Sequence, residues 1–337
     1  MDWFERLTGF REAGYDETRT KFKVEDRQLQ SRINGKSYGI GELELVSLQA
    51  LRERVQSSDG LAGRLKASVV TGDVRQMHRL PENAGALFQV ASQFNMLEMT
   101  GPGVTPENGV TIYQHDHTQG PACAIAAGAA TIYRNYFAPV GGKYGQAADR
   151  QLDGLADLGE ALSEAMKQPV GSLWEMRNGY ALCSSSVLDA ISALLGRLPP
   201  GQVDALRGKL RIGIHTNVEV TDADGEQRPV VSQAFCSALP VAYSRVPAAH
   251  WKPFASLVLE AAYEATMLAA VLNKQRGASD VVLLTLLGGG AFGNAEDWIH
   301  GAIRRALTKM SGFALDVRLV SYREPSLAVE QLMRDFG

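Results

Sequence analysis

The stretch DVVLLTLLGGGAFGN, residues 280–294, runs from an unbroken apolar segment into three consecutive glycines, with a fourth three residues on. AEDWIHGAIRRALTKM (295–310) follows it with apolar residues at helical spacing. The apolar segment reads as a buried strand, and the segment after the glycines as a helix. Glycine has no Cβ, so backbone N–H groups in such a loop can turn inward and meet a ligand without obstruction. At the head of a helix, those amides and the helix dipole favour an anion, most simply a phosphate. A tight strand-to-helix turn without a ligand is the plainer reading, but a plain turn seldom asks for three adjacent glycines.

Outward from the loop, strands and helices alternate. WKPFASLVLEAAYEATMLAAVLNKQRG (251–277) reads as a long helix closed by Gly277, and FALDVRLVSY (313–322) as a closing strand. KLRIGIHTNVEVTDADGEQRPVVSQAFCSALPVAYS (209–244) reads as two strands joined at DADG. Nearer the N-terminus, LKASVVTGDV (65–74), AGALFQVASQFN (84–95) and GVTIYQHD (109–116) read as strands. A helix is expected to begin at Pro121 and run through ACAIAAGAATIYRNYF (122–137). DRQLDGLADLGEALSEAM (149–166) and SSSVLDAISALLGRL (184–198) read as amphipathic helices, and GELELVSLQALRERVQ (41–56) as another. The alternation predicts an α/β sandwich with a mostly parallel sheet, preceded by a helical extension over residues 1–62 and interrupted by a helical insertion over about 138–200.

Composition narrows the function classes. The 337 residues are 45% hydrophobic, with a formal charge of −3 and no Lys/Arg-rich block. Nucleic acid is therefore disfavoured as a partner. Cys123, Cys183 and Cys236 are odd in number and form no metal-type pairs. The N-terminus lacks an apolar signal core, and Glu260 and Glu264 interrupt the most apolar window, so a soluble cytoplasmic protein without membrane contact is the expectation.

Gly288, Gly290 and Gly293 satisfy the G-x-G-x-x-G dinucleotide fingerprint. That fingerprint should open a nucleotide-binding half, yet only about forty residues remain, room for one helix and one strand. A Rossmann-type NAD-dependent oxidoreductase is thus the weaker reading. Four segments in order resemble another fold. VVTGDV (69–74) resembles the first-strand signature of macrodomains, and ALFQVASQFN (86–95) the following strand, which ends there in an amide-rich segment. TQGPACAIAAGA (118–129) resembles their Gly-containing loop opening an Ala-rich helix, and LVLEAAYEATMLAAVLNKQRGASDVVLLTLLGGGAFGN (257–294) their late helix, strand and diphosphate loop. The GAFG stretch is closer still to the poly(ADP-ribose) glycohydrolase branch, and the combination is similar to MavL-type ADP-ribosylhydrolases. The resemblance covers about residues 65–325. It implies a macrodomain-like three-layer α/β/α sandwich over 63–330 that binds ADP-ribose or an ADP-ribosylated protein and needs no cofactor.

The resemblance also distributes roles. Asp73, with the Val74 amide nearby, would accept a hydrogen bond from the adenine amine, and Tyr322 would lie against adenine. Gly288, Gly289, Gly290, Ala291, Phe292, Gly293 and Asn294 would hold the diphosphate, with Phe292 over the distal ribose. Gly120 and the amides of its helix would oppose them, so that two helix N-termini face the diphosphate. The ribose amide is open among Gln89, Ser92, Gln93 and Asn95; Gln93 and Asn95, nearest the strand end, are favoured. Hydrolysis at the distal ribose passes through an oxocarbenium-like transition state that carboxylates stabilise or feed with water. Asp116, Gln119 and Glu219 are the candidates. The alternative is a reader that binds ADP-ribose without cleaving it. His115 and His117 flank Asp116, but no third ligand follows by spacing, so surface or loop-lining histidines are preferred to a metal site. Arg177-Asn178-Gly179-Tyr180 lies in the insertion and could contact substrate, but an ordinary Asn-Gly turn is the preferred reading.

Overall fold

In the computed structural model, which describes residues 1–56, 62–225 and 227–337, seven of the strands gather into one central sheet with two apolar faces. Two short helices, α1 (Trp3–Thr8) and α2 (Tyr15–Thr20), come first, then a small antiparallel sheet of β1 (Phe22–Glu25), β2 (Gln28–Ser31) and β3 (Ser37–Gly39). The next strand, β4 (Glu42–Ser47), leads into α3 (Leu48–Gln56). The expected helix over 41–56 is thus half strand. Glu42-Leu43-Glu44-Leu45 alternates with period two and pairs antiparallel with a later strand. The N-terminal region is correspondingly more than a helical extension, since it supplies an edge of the main sheet. Residues 57–61 of that region and Glu226 of the expected hairpin lie outside the described residues.

Then come β5 (Lys66–Thr71), α4 (Val74–Arg79) and β6 (Leu87–Ala91). The strand expected at 109–116 is instead a 3-10 turn, Thr111–His115. Its start is fixed by the Glu12 carboxylate, which accepts from the Val110 and Thr111 N–H groups at 2.9 and 2.7 Å. Helices α5 (Gln119–Ala126) and α6 (Gly128–Tyr136) follow. The insertion holds two hairpins, β7 (Pro139–Val140) with β8 (Lys143–Tyr144) and β9 (Glu175–Arg177) with β10 (Tyr180–Leu182), besides helices α7 (Ala156–Met166) and α8 (Ser185–Arg197). The remainder is α9 (Pro200–Lys209), β11 (Arg211–Glu219), β12 (Val230–Cys236), α10 (Ala248–Gln275), β13 (Val281–Leu284), α11 (Glu296–Met310), β14 (Asp316–Ser321) and α12 (Leu327–Arg334).

The central sheet has seven strands in the order β4-β11-β12-β6-β13-β14-β5. From β12 to β5 every neighbour is parallel, and β11 is antiparallel to both β4 and β12. This is the expected mixed, mostly parallel α/β/α sandwich. Leu87, Val282, Leu284 and Val317 join the core formed with α10 and α11, whereas Phe88, Val90, Val281 and Leu283 join that formed with α4, α5 and α6. By length and composition α10 could cross a membrane, but 83% of its most apolar window is buried inside the fold. Its Glu264 accepts from Arg52 Nε at 2.6 Å and Arg305 Nη1 at 2.5 Å, tying α10 to α3 and α11.

Parallel strands place their carboxyl ends on one side, and a switch of direction in the sheet leaves a crevice there. β13 and β6 are followed by the glycine loop and by Ser92-Gln93, and β14 and β5 by Tyr322 and Gly72-Asp73.

Candidate functional site

A cleft crosses these carboxyl ends in two adjoining parts. One, of about 140 Å³, is lined by Ser92, Gln93, Asp116, Gly120, Tyr180, Gly288, Gly290, Ala291 and Phe292, among others. The other, of about 320 Å³, is lined by Asp73, Val74, His117, Ile125 and Tyr322, among others. Asp116, Thr118, Gln119 and Thr285 line both, so the two parts form one trough. The sequence motifs near 120 and near 290 therefore meet across it.

Their approach is fixed from below. A Cβ on Gly120 would lie 2.0 Å from the Ala91 carbonyl oxygen, so α5 starts as close to the end of β6 as backbone allows. Gln119 stitches the two together: its Oε1 accepts from the Ala91 N–H, and its Nε2 donates to the Gln89 carbonyl, both at 2.8 Å. With each amide atom holding a backbone group, Gln119 positions α5, and its second N–H and second lone pair remain on a side chain that lines both parts of the cleft. On the opposite wall, the root of the glycine loop hangs from Tyr263, whose hydroxyl donates to Thr285 O at 2.6 Å and accepts from the Leu287 N–H at 2.8 Å. Gln89 adds a hydrogen bond from the Thr285 N–H to its Oε1 at 3.2 Å.

The loop residues divide by task. Gly288 (φ +75°) and Gly293 (φ +69°) take left-handed turns, and their added Cβ atoms would meet Ala238 at 2.4 Å and Ala242 at 2.8 Å. A Cβ on Gly289 would press on Ile299 at 3.1 Å. Asn294 faces away from the cleft and staples the loop, with Nδ2 donating to Leu239 O at 2.9 Å. Gly288, Gly290, Ala291 and Phe292 are the loop residues that line the cleft. Of the two helices expected to face the diphosphate, α5 opens its N-terminus onto this part of the cleft and α11 does not. α11 starts four residues beyond Phe292 and already carries Glu296 and Asp297 in its first turn, where they answer its dipole. The expected pair of helix N-termini is thus one helix and one glycine loop.

At the other end, Asp73 caps α4, its Oδ1 accepting from the Arg75 N–H at 2.8 Å, and lines the cleft beside Val74. Tyr322 is 75% exposed at the rim of the same part. Among the amides left open by sequence, Ser92 and Gln93 line the cleft, while Gln89 and Asn95 do not. Asn95 is fully buried, bonding the Leu97 N–H and Gln151, so it is a structural residue and not a ribose contact. Gln93 itself clamps the Met99 backbone through both amide atoms, at 3.2 and 2.5 Å.

Glu219 lies outside the cleft altogether. β11 runs against its neighbours, so its end, paired with Val230, falls at the opposite edge of the sheet from Cys236. There Glu219 accepts from the Gly39 N–H at 2.7 Å and pairs with Arg228 at 2.9 Å, which corrects its assignment as a catalytic acid. Asp116 does face the trough. Its Oδ1 accepts from the Thr118 N–H at 2.8 Å and hydroxyl at 2.6 Å, and among the described residues Oδ2 makes no hydrogen bond.

Two groups of cleft residues go beyond the favoured sequence candidates. Tyr180 and Tyr243 join Phe292 in an aromatic cluster, with Tyr180 4.9 and 5.2 Å from the other two rings. Tyr180 arrives on the insertion hairpin, whose Asn178-Gly179 turn has φ +48° and +81° and packs against Gln93 and Asn95. Glu98 is a further carboxylate of the cleft wall, buried and paired with the equally buried Arg134 at 3.1 Å. The three thiols are all buried and pushed up by burial, Cys183 to about 12 and Cys236 to about 11, so none supplies a thiolate. Among the described residues, no three His, Cys, Asp or Glu side chains converge as a metal site.

Burial pushes the Glu98 carboxyl up to about 7, against the pull of Arg134. Its folded pKa thus exceeds its unfolded one, near 4.3. The stability it contributes is complete below the unfolded value and is lost as pH climbs through about 7. Glu98→Gln removes that titration. Urea unfolding at pH 5 and pH 8 is expected to show the wild type gaining on the variant at the lower pH, and a constant difference would contradict the assignment.

No family model matches the sequence, and no curated protein does. Solved structures are similar at low identity. Poly(ADP-ribose) glycohydrolase from Thermomonospora curvata is 13% identical, with a TM-score of 0.44 over 94% of this chain and 94% of that one. The same enzyme bound to the inhibitor ADP-HPD is 12% identical, at 0.44 over 95% of each chain. Poly(ADP-ribose) glycohydrolase from Deinococcus radiodurans in complex with ADP-ribose is 13% identical, at 0.45 over 87% of this chain and 92% of that one. None of these likenesses assigns a role to a residue of this chain.

Proposed function

We propose that the trough binds ADP-ribose and that the protein hydrolyses the glycosidic bond at the distal ribose, releasing ADP-ribose from a modified protein or a small derivative. The observation that carries this reading is the meeting of α5 and the glycine loop midway along one trough, with a carboxylate-and-tyrosine end at Asp73 and Tyr322 and an aromatic end at Tyr180 and Phe292. An acceptor-only carboxylate selects an amino group, which suits adenine at the first end. Backbone amides suit a diphosphate in the middle, where Lys and Arg are absent from the wall shared by Gly120 and Gly290. A pentose and its leaving group then fall among the aromatic rings. There Asp116, with its free Oδ2, can activate water or stabilise developing positive charge at the anomeric carbon.

The dinucleotide alternative fits less well. In that fingerprint the helix opens on the glycines, whereas here α11 begins at Glu296, three residues after Gly293. Thermal unfolding with ADP-ribose, NAD or AMP separates the readings. A specific ligand at a hundred times its Kd should add about 2.7 kcal/mol of stability. A shift with ADP-ribose, and a smaller one with AMP, is expected; a shift with NAD alone would favour the oxidoreductase, and no shift with ADP-ribose would end the proposal.

A further inference from the structure

Beyond the adenine end of the trough lies a larger cavity, of about 470 Å³, that shares Arg75 and Ile125 with it. Its walls come from α1, the Lys36–Tyr38 segment, α4 and the turn after β11. None of these residues has a part in the proposed hydrolysis. Five cations line the cavity: Arg6, Lys36, Arg75, Arg79 and Arg228. Three are tied to carboxylates. Arg75 forks onto Asp222 at 2.7 and 2.6 Å, Arg79 reaches Asp224 at 2.7 Å, and Arg228 reaches Glu219 at 2.9 Å. Among the described residues, Arg6 and Lys36 pair with no carboxylate, so the wall carries a surplus of two positive charges.

We infer that this cavity is a phosphate subsite for an anionic group carried at the adenosine end of the ligand. The argument is one of chemistry and place. A surplus of two charges matches a phosphate dianion, and arginines already braced by carboxylates present their remaining N–H groups in fixed directions. Arg75 is the hinge between the two spaces: its backbone N–H caps onto Asp73 at the adenine end, while its guanidinium stands in the basic wall. A phosphate on the adenosine ribose would therefore enter the cavity while the base stays in the trough. This inference rests on placing the adenosine at the Asp73 end, as proposed above.

Calorimetric titration tests it with three probes: ADP-ribose, ADP-ribose 2′-phosphate, and pyrophosphate alone. Each is measured on the wild type, on Arg6→Ala/Lys36→Ala and on Lys36→Glu. Both side chains are exposed and outside the trough, so folding and ADP-ribose affinity should be unchanged. The 2′-phosphate is expected to tighten binding at least tenfold at low salt, with the gain shrinking as salt is added and vanishing in the variants. Pyrophosphate binding by itself, lost in the same variants, would also support the subsite, with a free anion as its occupant. No gain from the 2′-phosphate together with no pyrophosphate binding overturns the inference, as does a gain that survives in both variants. If ADP-ribose fails to bind while pyrophosphate binds and is lost in the variants, the subsite stands and the adenosine placement falls.

Discussion

Asp116→Asn is expected to slow the release of ADP-ribose from a modified protein by about 10²–10⁴-fold, the usual share of a positioned general acid or base. ADP-ribose affinity should stay within a few-fold of the wild type. The Asn variant is more telling than Ala because Asp116 has two tasks. Its Oδ1 accepts from the Thr118 N–H and hydroxyl and so shapes the entry to α5, while among the described residues Oδ2 makes no hydrogen bond. Asn keeps an acceptor for Thr118 and removes the charge; Ala removes both. Turnover should therefore fall alike in the two variants, whereas only Ala should lose stability, by about 1 kcal/mol as for other side-chain caps. Single-turnover assays with chemical denaturation check both. An active Asn variant would make Asp116 a turn former only, and a wild type that releases nothing from any modified protein would leave a binding module.

What was legible in the sequence is what depends on neighbours along the chain. The run Val281–Leu284 with its glycines, Asp73 after β5 and Tyr322 after β14 each carry a local signature, and parallel strands then bring the three to one edge. Glu219 failed for the complementary reason. An acid on a strand is a local feature, but the direction of β11 relative to its neighbours decides which edge it reaches, and no local pattern encodes that. Asn95 failed by two residues: the chain turns after Gln93, Met96 has φ +63°, and Asn95 is drawn into the fold instead of along the strand. Tyr180 is set aside by a sequence reading because it joins the cleft from 87 residues beyond Gln93, on a hairpin whose Asn-Gly turn reads as ordinary and is ordinary. Glu98 sits in a run, NMLEM, with no spacing signature, and only the burial of Arg134 beside it marks it out.

Gly290→Ala should leave the fold intact and lower ADP-ribose affinity at least tenfold, a loss of about 1.4 kcal/mol or more. The three glycines are not equivalent. Gly288 needs its left-handed backbone and has Ala238 2.4 Å from where a Cβ would be, and Gly289 is pressed by Ile299. Gly288→Ala is therefore expected to destabilise the protein by about 1–3 kcal/mol, as overpacking does, and any loss of binding would follow from that. Around Gly290 no protein atom lies within 4 Å of an added Cβ, and its φ is outside the left-handed region. The fold gives no reason for glycine there. Alanine should even raise stability by about 0.4–1 kcal/mol through the unfolded chain. What remains is the cleft that Gly290 lines, where a methyl group would stand between the backbone and a diphosphate. Unfolding curves and ADP-ribose titrations of the two variants thus ask one question from two sides. If Gly290→Ala binds ADP-ribose as the wild type does, the loop is only a turn and the diphosphate lies elsewhere.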